Sequence, residues 1–299
     1  MLRHMKGLFL LHIFLGGNIM KNTKTKVNRQ EKVKEAFELV KKGAVDIAKS
    51  SNFQRFLKFS ASFHNYSFRN QLLIWIQKPS ATFVAGFETW KKRGRYVKKG
   101  EKGIMILAPM KITRKNDEHE EDEEFMLFRP IYVFDISQTE GEPIPSIGEY
   151  VKTLNGETDL YEKIKAISPF PVTETTDCKG ADGYYRIKEK DIFIDSKNST
   201  SHKLLTLIHE MGHGLLHADR NNIPSKAVRE IEAECVGFVT CHALGIDTSE
   251  NSFGYIASYG RSRSDELIDK SRERINRAVH RILGDFEDTY VAIEDKELV

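Results

Sequence analysis

Apolar residues first settle into a period at Val33, Ala36, Phe37, Val40 and Ala44, recurring at intervals of three and four. That spacing predicts an amphipathic helix from Asn28 to about Ser50, with a lysine-rich outer face. Phe53, Phe56, Leu57 and Ser60 continue into a second helix. A third runs from about Ser67 to Gln77 and is closed by Pro79. The pattern then changes: GIMILAPMKIT (103–113) and FMLFRPIYVF (125–134) read as two strands. Between them DEHEEDEE (117–124) is acidic at seven positions of eight, a solvated hairpin tip or, alternatively, a mimic of DNA phosphates. Gly141, Pro143, Pro145 and Gly148 mark a linker at 141–149. Further on the pattern predicts a helix around Leu160 to Ile167 and a hairpin of Tyr184–Ile187 with Asp191–Ile194. Asn198 or Ser199 caps the next helix, and another spans about Ser225 to Ala243. A last helix, from Ser264 to about Phe286, puts Leu267, Ile268, Ser271, Ile275, Ala278, Val279 and Ile282 on one face. The expected fold class is α+β, with N-terminal helices and an antiparallel β-hairpin sheet in 20–140, a second α+β domain in 150–290, and a tail at 291–299.

Composition changes this picture in three ways. Hydrophobic residues make up 40% and charged residues 30% of the chain, a soluble globular balance with no membrane span. The net charge is only +3, but it is unevenly placed. Residues 20–113 hold 21 Lys plus Arg against six Asp plus Glu, a surplus of 15. With the +2 of residues 1–19, this leaves 114–299 at −14. A basic half before an acidic half points to two modules with different partners, the basic one suited to a polyanion. The three cysteines, Cys178, Cys235 and Cys241, have no paired spacing, which fits a reducing cytoplasm rather than a disulfide framework. Residues 1–19 have a basic start and a short apolar run but no small-x-small cleavage site. Gly16-Gly17-Asn18-Ile19-Met20 is what a ribosome-binding GGAGG gives when read in frame, so the expected start is Met20, with 1–19 as translated leader.

Candidate chemistry concentrates in LIHEMGHGLLH (207–217). His209 and His213 lie four apart on a predicted helix, so both imidazoles share a face and can converge on one tetrahedral Zn2+. Glu210 lies beside the first ligand and can accept a proton from an attacking water. A catalytic site of this type needs a third protein ligand and an open position. His217 is about 12 Å along the axis from His209 and His202 lies seven residues before it, so neither can join His209 on one ion. REIEAECVGF (229–238) offers Glu230 and Glu234 on one face, with Glu232 pointing away. Glu230 is assigned as third ligand and Glu234 as the carboxylate that accepts the free imidazole N–H of a ligand histidine. The exchanged assignment stays open on spacing alone.

HEMGH followed by E-x-x-A-E resembles the ImmA/IrrE family of zinc metallopeptidases over roughly residues 150–285. The resemblance implies a zincin-like α+β metallopeptidase domain of gluzincin type, with two His and one Glu as ligands. The first Glu of the second motif is the ligand in that family, which implies Glu230 here.

The basic half has its own dense stretch. Lys91, Lys92, Arg93, Arg95, Lys98, Lys99 and Lys102 stand against a single acid, Glu101, with Tyr96 interleaved. Cations that track phosphates and aromatics that stack on bases suit single-stranded nucleic acid. Trp75 and Trp90 are expected in the core instead. Asn70 to Ile74, Pro79 to Trp90, Gly94 to Ile104 and Val133 to Gly141 together resemble the N-terminal domain of ArdC-type antirestriction proteins. That resemblance implies a single-stranded-DNA-binding domain joined to a zinc metallopeptidase-like domain, carried by a mobile element such as a plasmid. The acidic run 117–124 departs from the family pattern. Three functions follow from the residues and the two resemblances: a zinc metallopeptidase acting on a protein such as a restriction enzyme; a DNA-coating protein whose zinc only holds the fold; or a peptidase that cuts a repressor, with DNA as the recruiting signal. Tyr255 or Tyr259 is a candidate for oxyanion stabilisation that the sequence does not position.

Overall fold

The computed structural model describes residues 23–47, 50–114, 123–144, 146–219, 224–246 and 265–291. The leader 1–19, the acidic segment 117–122, Tyr255, Tyr259 and residues 292–299 of the tail lie outside the described residues, as do the side chains of Leu267 and Ile268. Helices α1 (Thr23–Ile47), α2 (Ser50–Ala61) and α3 (Phe68–Gln77) come first, α3 starting at Ser67, whose hydroxyl accepts from the Asn70 N–H. The two expected strands form β3 (Ile104–Arg114) and β4 (Glu123–Asp135), an antiparallel hairpin with Met105 opposite Tyr132. A short β1 (Val84–Gly86) adds to the far side of β4, giving the order β1-β4-β3. The basic stretch, whose pattern predicts no element, forms the end of α4 (Phe87–Lys92), a turn at Gly94 with φ of +68°, and β2 (Arg95–Val97), which pairs with β5 (Thr139–Gly141).

The outer edge of β3 is closed by α3. Asn70 accepts from the Leu107 N–H and donates to the Leu107 carbonyl, both at 3.0 Å. Gln77 does the same for Met105, at 3.0 and 2.8 Å. Two side-chain amides thus occupy backbone groups that an edge strand would otherwise offer to another chain. Trp90 is fully buried and its indole N–H donates to the Phe134 carbonyl at 2.8 Å; Trp75 is also in the core, as expected.

The second half begins with α5 (Ile147–Lys152), capped by Ser146 in a reciprocal box with Glu149. It continues through α6 (Glu157–Ala166) and a sheet of β6 (Val172–Thr175), β7 (Gly183–Arg186) and β8 (Asp191–Asp195) in the order β6-β8-β7. The expected hairpin is β7–β8, with Tyr184 opposite Phe193. Strand β6, parallel to β8, has no clean alternation in sequence and is an addition to the expected elements. Helices α7 (Thr200–His217), α8 (Lys226–Ala243) and α9 (Asp265–Tyr290) complete the α+β fold. Among the described residues no helix is long and apolar enough to cross a membrane.

One helix serves two cores. Phe53, Leu57 and Ala61, four apart, enter the core built by α6 to α9. Phe56 and Phe59, on the other face, and Phe63, just past the end of the helix, enter the core under the β3–β4 sheet. Helix α9 joins the halves again: Asn276 hydrogen-bonds Gln71 and the Tyr66 carbonyl, and Glu287 pairs with His64 at 3.2 Å.

Candidate metal centre

Helix α7 is held by Ser199, whose hydroxyl accepts from the His202 N–H at 3.3 Å. It buries Leu204, Leu207, Ile208 and Met211 at helical spacing. Gly212 lets α8 approach: a β-carbon there would lie 3.3 Å from Ala233 Cα and 3.4 Å from Val236 Cβ. This close crossing brings Glu230 to the histidines. His209 Nε2 and His213 Nε2 are 3.1 Å apart, and Glu230 Oε2 lies 3.6 and 3.5 Å from them. Ligands about 2.0–2.1 Å from a tetrahedral zinc are separated by about 3.4 Å. The triangle therefore has the size of three corners of such a site, and two imidazoles with a carboxylate are a donor set that zinc accepts.

Glu234 Oε2 lies 3.4 Å from His209 Nδ1, the nitrogen turned away from the triangle. Glu210 is buried beside His213 and His209, with one donor atom of each within 4.8 Å of the others. The Tyr185 backbone hydrogen-bonds Glu210, yet burial dominates and raises its pKa. Burial opposes protonation of His209, but Glu230 and Glu234 outweigh it and hold the ring's pKa at about 9. Burial and the neighbouring His209 charge depress His213 to about 4. The His209 hydrogen bond leads the groups that pull Glu230 down to about 2. An open cleft of about 450 Å³ adjoins His209 and Glu210, lined also by Asp182, His202, Leu205 and Phe238.

His202 sits at the rim of this cleft, paired with Asp182 at 3.1 Å. His217 lies four residues past His213 on the same face, with Nδ1 3.2 Å from His213 Nδ1. Glu232 does point away from Glu230 and Glu234, but into the protein: it is 0% exposed, and its Oε2 is 2.8 Å from His217 Nε2. Sequence reasoning leaves His217, like His202, as either a polar surface group or an outer hydrogen-bonding partner, and the second fits His217; it gives Glu232 no role. The i, i+4 step from His213 to His217 is the available signal; the partner of Glu232 leaves none.

The cationic residues divide. Lys91, Lys92, Lys98, Lys99 and Lys102 are exposed, and so is Tyr96 at 58%. Arg93 is half-buried with its guanidinium 5.4 Å from the Phe83 ring centre. Arg95 stands apart. It is buried and donates to Thr139 Oγ1 at 2.9 Å, the Gly141 carbonyl at 2.8 Å, and the Thr139 and Glu142 carbonyls. Phe87 and Tyr132 add exposed aromatic surface to the same half. Lys32 lies 5.6 Å from the Tyr132 ring centre. A cleft of about 1040 Å³ between the halves is lined by Tyr66, Lys92 and Arg93 on one wall and Lys152 and His242 on the other. It contains none of the metal-centre residues.

Residues 24–134 match the family model for the N-terminal domain of the anti-restriction factor ArdC, and residues 172–250 match that for the IrrE N-terminal-like domain. An uncharacterized Bacillus anthracis protein, pXO2-81, is 28% identical over 305 residues, covering 85% of this chain and 51% of its own length. The chain thus spans about half the length of the curated relative it matches. Two crystal structures of the antirestriction protein ArdC from plasmid R388 are also similar, one metal-free and one Mn(II)-bound. They are 21% and 19% identical, with TM-scores of 0.47 and 0.46, each match covering 75% of this chain and 86% of theirs.

Proposed function

We propose, for a chain that joins an ArdC-type N-terminal domain to an IrrE-like domain, that it is a cytoplasmic antirestriction protein of a mobile element, with a single-stranded-DNA-binding half (20–140) and a zinc metallopeptidase half (150–290) linked through 141–149. The observation that carries the catalytic part is the triangle of His209, His213 and Glu230, with edges of 3.1, 3.5 and 3.6 Å. In this reading those three residues hold one divalent ion, zinc by donor set. The ion supplies a Lewis acid that polarises a water molecule and a scissile carbonyl. Glu210 takes the proton of the attacking water at its carboxylate and delivers it to the leaving amine. A carboxyl raised by burial toward neutrality is matched to that double task. Glu234 accepts from His209 Nδ1–H and keeps its Nε2 turned to the centre. The substrate would be a protein met on entering DNA, such as a restriction enzyme or a repressor, lying in the cleft beside Glu210.

The DNA part rests on exposed Lys91, Lys92, Lys98, Lys99 and Lys102 with Tyr96, a pattern of phosphate-tracking cations and a stacking ring. Arg93 contributes at the edge of the interlobe cleft, and Arg95 supports the strand that carries Tyr96. That surface also favours a second reading, in which coating of DNA is the whole protective act and the metal only holds the fold.

Glu210→Gln separates the two. Unmodified plasmid DNA is transferred into a restricting host carrying wild type or variant, and metal content of the purified proteins is measured alongside. Loss of protection by a variant that keeps its metal and its DNA affinity is the expected result. Full protection by that variant would overturn the peptidase reading in favour of coating.

A further inference from the structure

We infer that His217 and Glu232, anchored by Arg274 and Ser271, are positioning residues that fix the tautomer of His213 and so aim its Nε2 lone pair at the metal centre. The inference rests on the reading of His213 as a metal ligand. Its support is the polarity of a continuous hydrogen-bond chain. Arg274 Nη2 donates to Glu232 Oε1, and the Ser271 hydroxyl also hydrogen-bonds this carboxylate. A guanidinium has donors only, so Glu232 acts here as acceptor. Its other oxygen, Oε2, faces His217 Nε2 at 2.8 Å, and His217 must therefore donate from Nε2.

A neutral imidazole has one donor and one acceptor nitrogen. With its proton on Nε2, His217 presents a lone pair at Nδ1. The group opposite, at 3.2 Å, is His213 Nδ1, which must then donate. That places the His213 proton on Nδ1 and leaves Nε2 as an acceptor, 3.1 Å from His209 Nε2 and 3.5 Å from Glu230 Oε2. The reverse polarity would set the His217 Nε2 lone pair against a carboxylate oxygen in a buried site, where an unsatisfied acceptor pair is destabilising. A ligand histidine commonly passes its second N–H straight to a carboxylate. Glu234 does this for His209, whereas His213 reaches its carboxylate through a second imidazole. Three helices build the chain: α7 supplies His213 and His217, α8 Glu232, and α9 Ser271 and Arg274. The last helix thus determines how a ligand on α7 is presented, without touching the centre.

The test uses the full chain. Long-range ¹H–¹⁵N spectra of histidine rings in the metal-free wild type at pH 7 read which nitrogen carries each proton. Protons on His213 Nδ1 and His217 Nε2 are expected; a proton on His213 Nε2 in the neutral ring would overturn the inference, with no variant needed. Zn2+ affinity by chelator competition gives the second readout. Glu232→Gln and His217→Leu should weaken Zn2+ binding by about 10–100-fold, the usual effect of removing an outer hydrogen-bond partner. His217→Gln, whose amide oxygen can accept from His213 Nδ1–H, should recover part of that loss. Variants that bind Zn2+ as tightly as wild type would sink the inference while leaving the ligand reading intact. Failure of wild type to bind Zn2+, or undiminished binding by His209→Ala, would overturn the ligand reading underneath it.

Discussion

Gly212→Ala sets two opposed effects against each other at the helix crossing that brings Glu230 to the histidines. Alanine is favoured over glycine within a helix by about 0.8–1.0 kcal/mol. Here, however, the new methyl would sit 3.3 Å from the Ala233 α-carbon and 3.4 Å from Val236 Cβ. The first of these is helix backbone, so α8 itself must yield by a few tenths of an ångström. Overpacking of that kind costs roughly 1–3 kcal/mol, which leaves a net loss of about 0–2 kcal/mol after the propensity gain. Gly237 on α8 is the control, because nothing lies within 4 Å of a β-carbon built there. Gly237→Ala should gain the full propensity term of about 1 kcal/mol. The difference between the two variants, about 1–3 kcal/mol, is then the packing cost alone. Urea unfolding of the metal-free proteins, followed by circular dichroism, measures it. Displacement of α8 also lengthens the Glu230 edges of 3.5 and 3.6 Å. Metal sites tolerate about 0.2 Å in ligand distance, so Zn2+ affinity should drop on the order of tenfold in Gly212→Ala. If Gly212→Ala is as stable as Gly237→Ala and binds Zn2+ like wild type, the close crossing is not what positions Glu230.

Zn2+ affinity should depend on pH through His209. Its pKa is raised to about 9, so at pH 7 the incoming ion displaces a proton, and log affinity rises by about one per pH unit until it levels above 9; calorimetry in buffers of different ionisation enthalpy counts the proton. Without metal the sign of the stability effect is opposite. A raised folded-state pKa gives stabilisation that is complete below the unfolded value near 6.5 and is lost as pH rises through about 9, so unfolding midpoints of the metal-free protein should fall across that window and those of the zinc-loaded protein should not. Asn70→Ala uncovers the Leu107 N–H and carbonyl on the β3 edge; a stability loss of about 1–3 kcal/mol and greater self-association in light scattering are expected, and unchanged values would refute the edge-closing role. Charge reversal at Lys91, Lys92 and Lys99 should weaken single-stranded DNA binding and reduce the log–log salt slope by about 0.7 for each phosphate no longer neutralised, read by fluorescence anisotropy. Arg95→Ala should lower thermal stability instead, and a salt slope altered only by Arg95→Ala would reverse the division of labour among these cations.

What sequence can reveal here depends on whether the partner of a residue is near in the chain. His209 and His213 announce themselves because four residues make one helical turn, and Ser199 stands at the capping position of the same helix. The long β3–β4 hairpin is legible from its apolar runs, and Trp90 is placed in the core because an indole is hard to leave in water. The expected strand Tyr184–Ile187 is displaced by one residue, since β7 spans Gly183–Arg186. Gly183 joins the strand by pairing with Ile194, at a position where a β-carbon would collide with Thr206 and the Phe193 carbonyl, and local alternation encodes neither. Strand β6 escapes the pattern because VTET carries little apolar signal; it is defined by pairing with β8, twenty residues on. Glu232 looks idle because its partners are His217 and Arg274, the latter 42 positions away. Arg95 looks like its exposed neighbours because seven cations in one stretch give no sign of which one folds back on the chain.

The two faces of α2 bear on how far this protein can be treated as modular. A cut at the linker would leave residues 150–299 without Phe53, Leu57 and Ala61, three side chains of the core that also holds Leu207, Val236 and Ile282. Losing even one large side chain from such a core costs about 2–5 kcal/mol, comparable with the whole stability of many domains. The second half is therefore expected to be insoluble or molten when expressed alone, and to recover when residues 50–63 are supplied in trans or fused back. Heredity faces the same restriction. A recombination event that exchanged one half for a distant homologue's would have to carry an α2 that fits both cores.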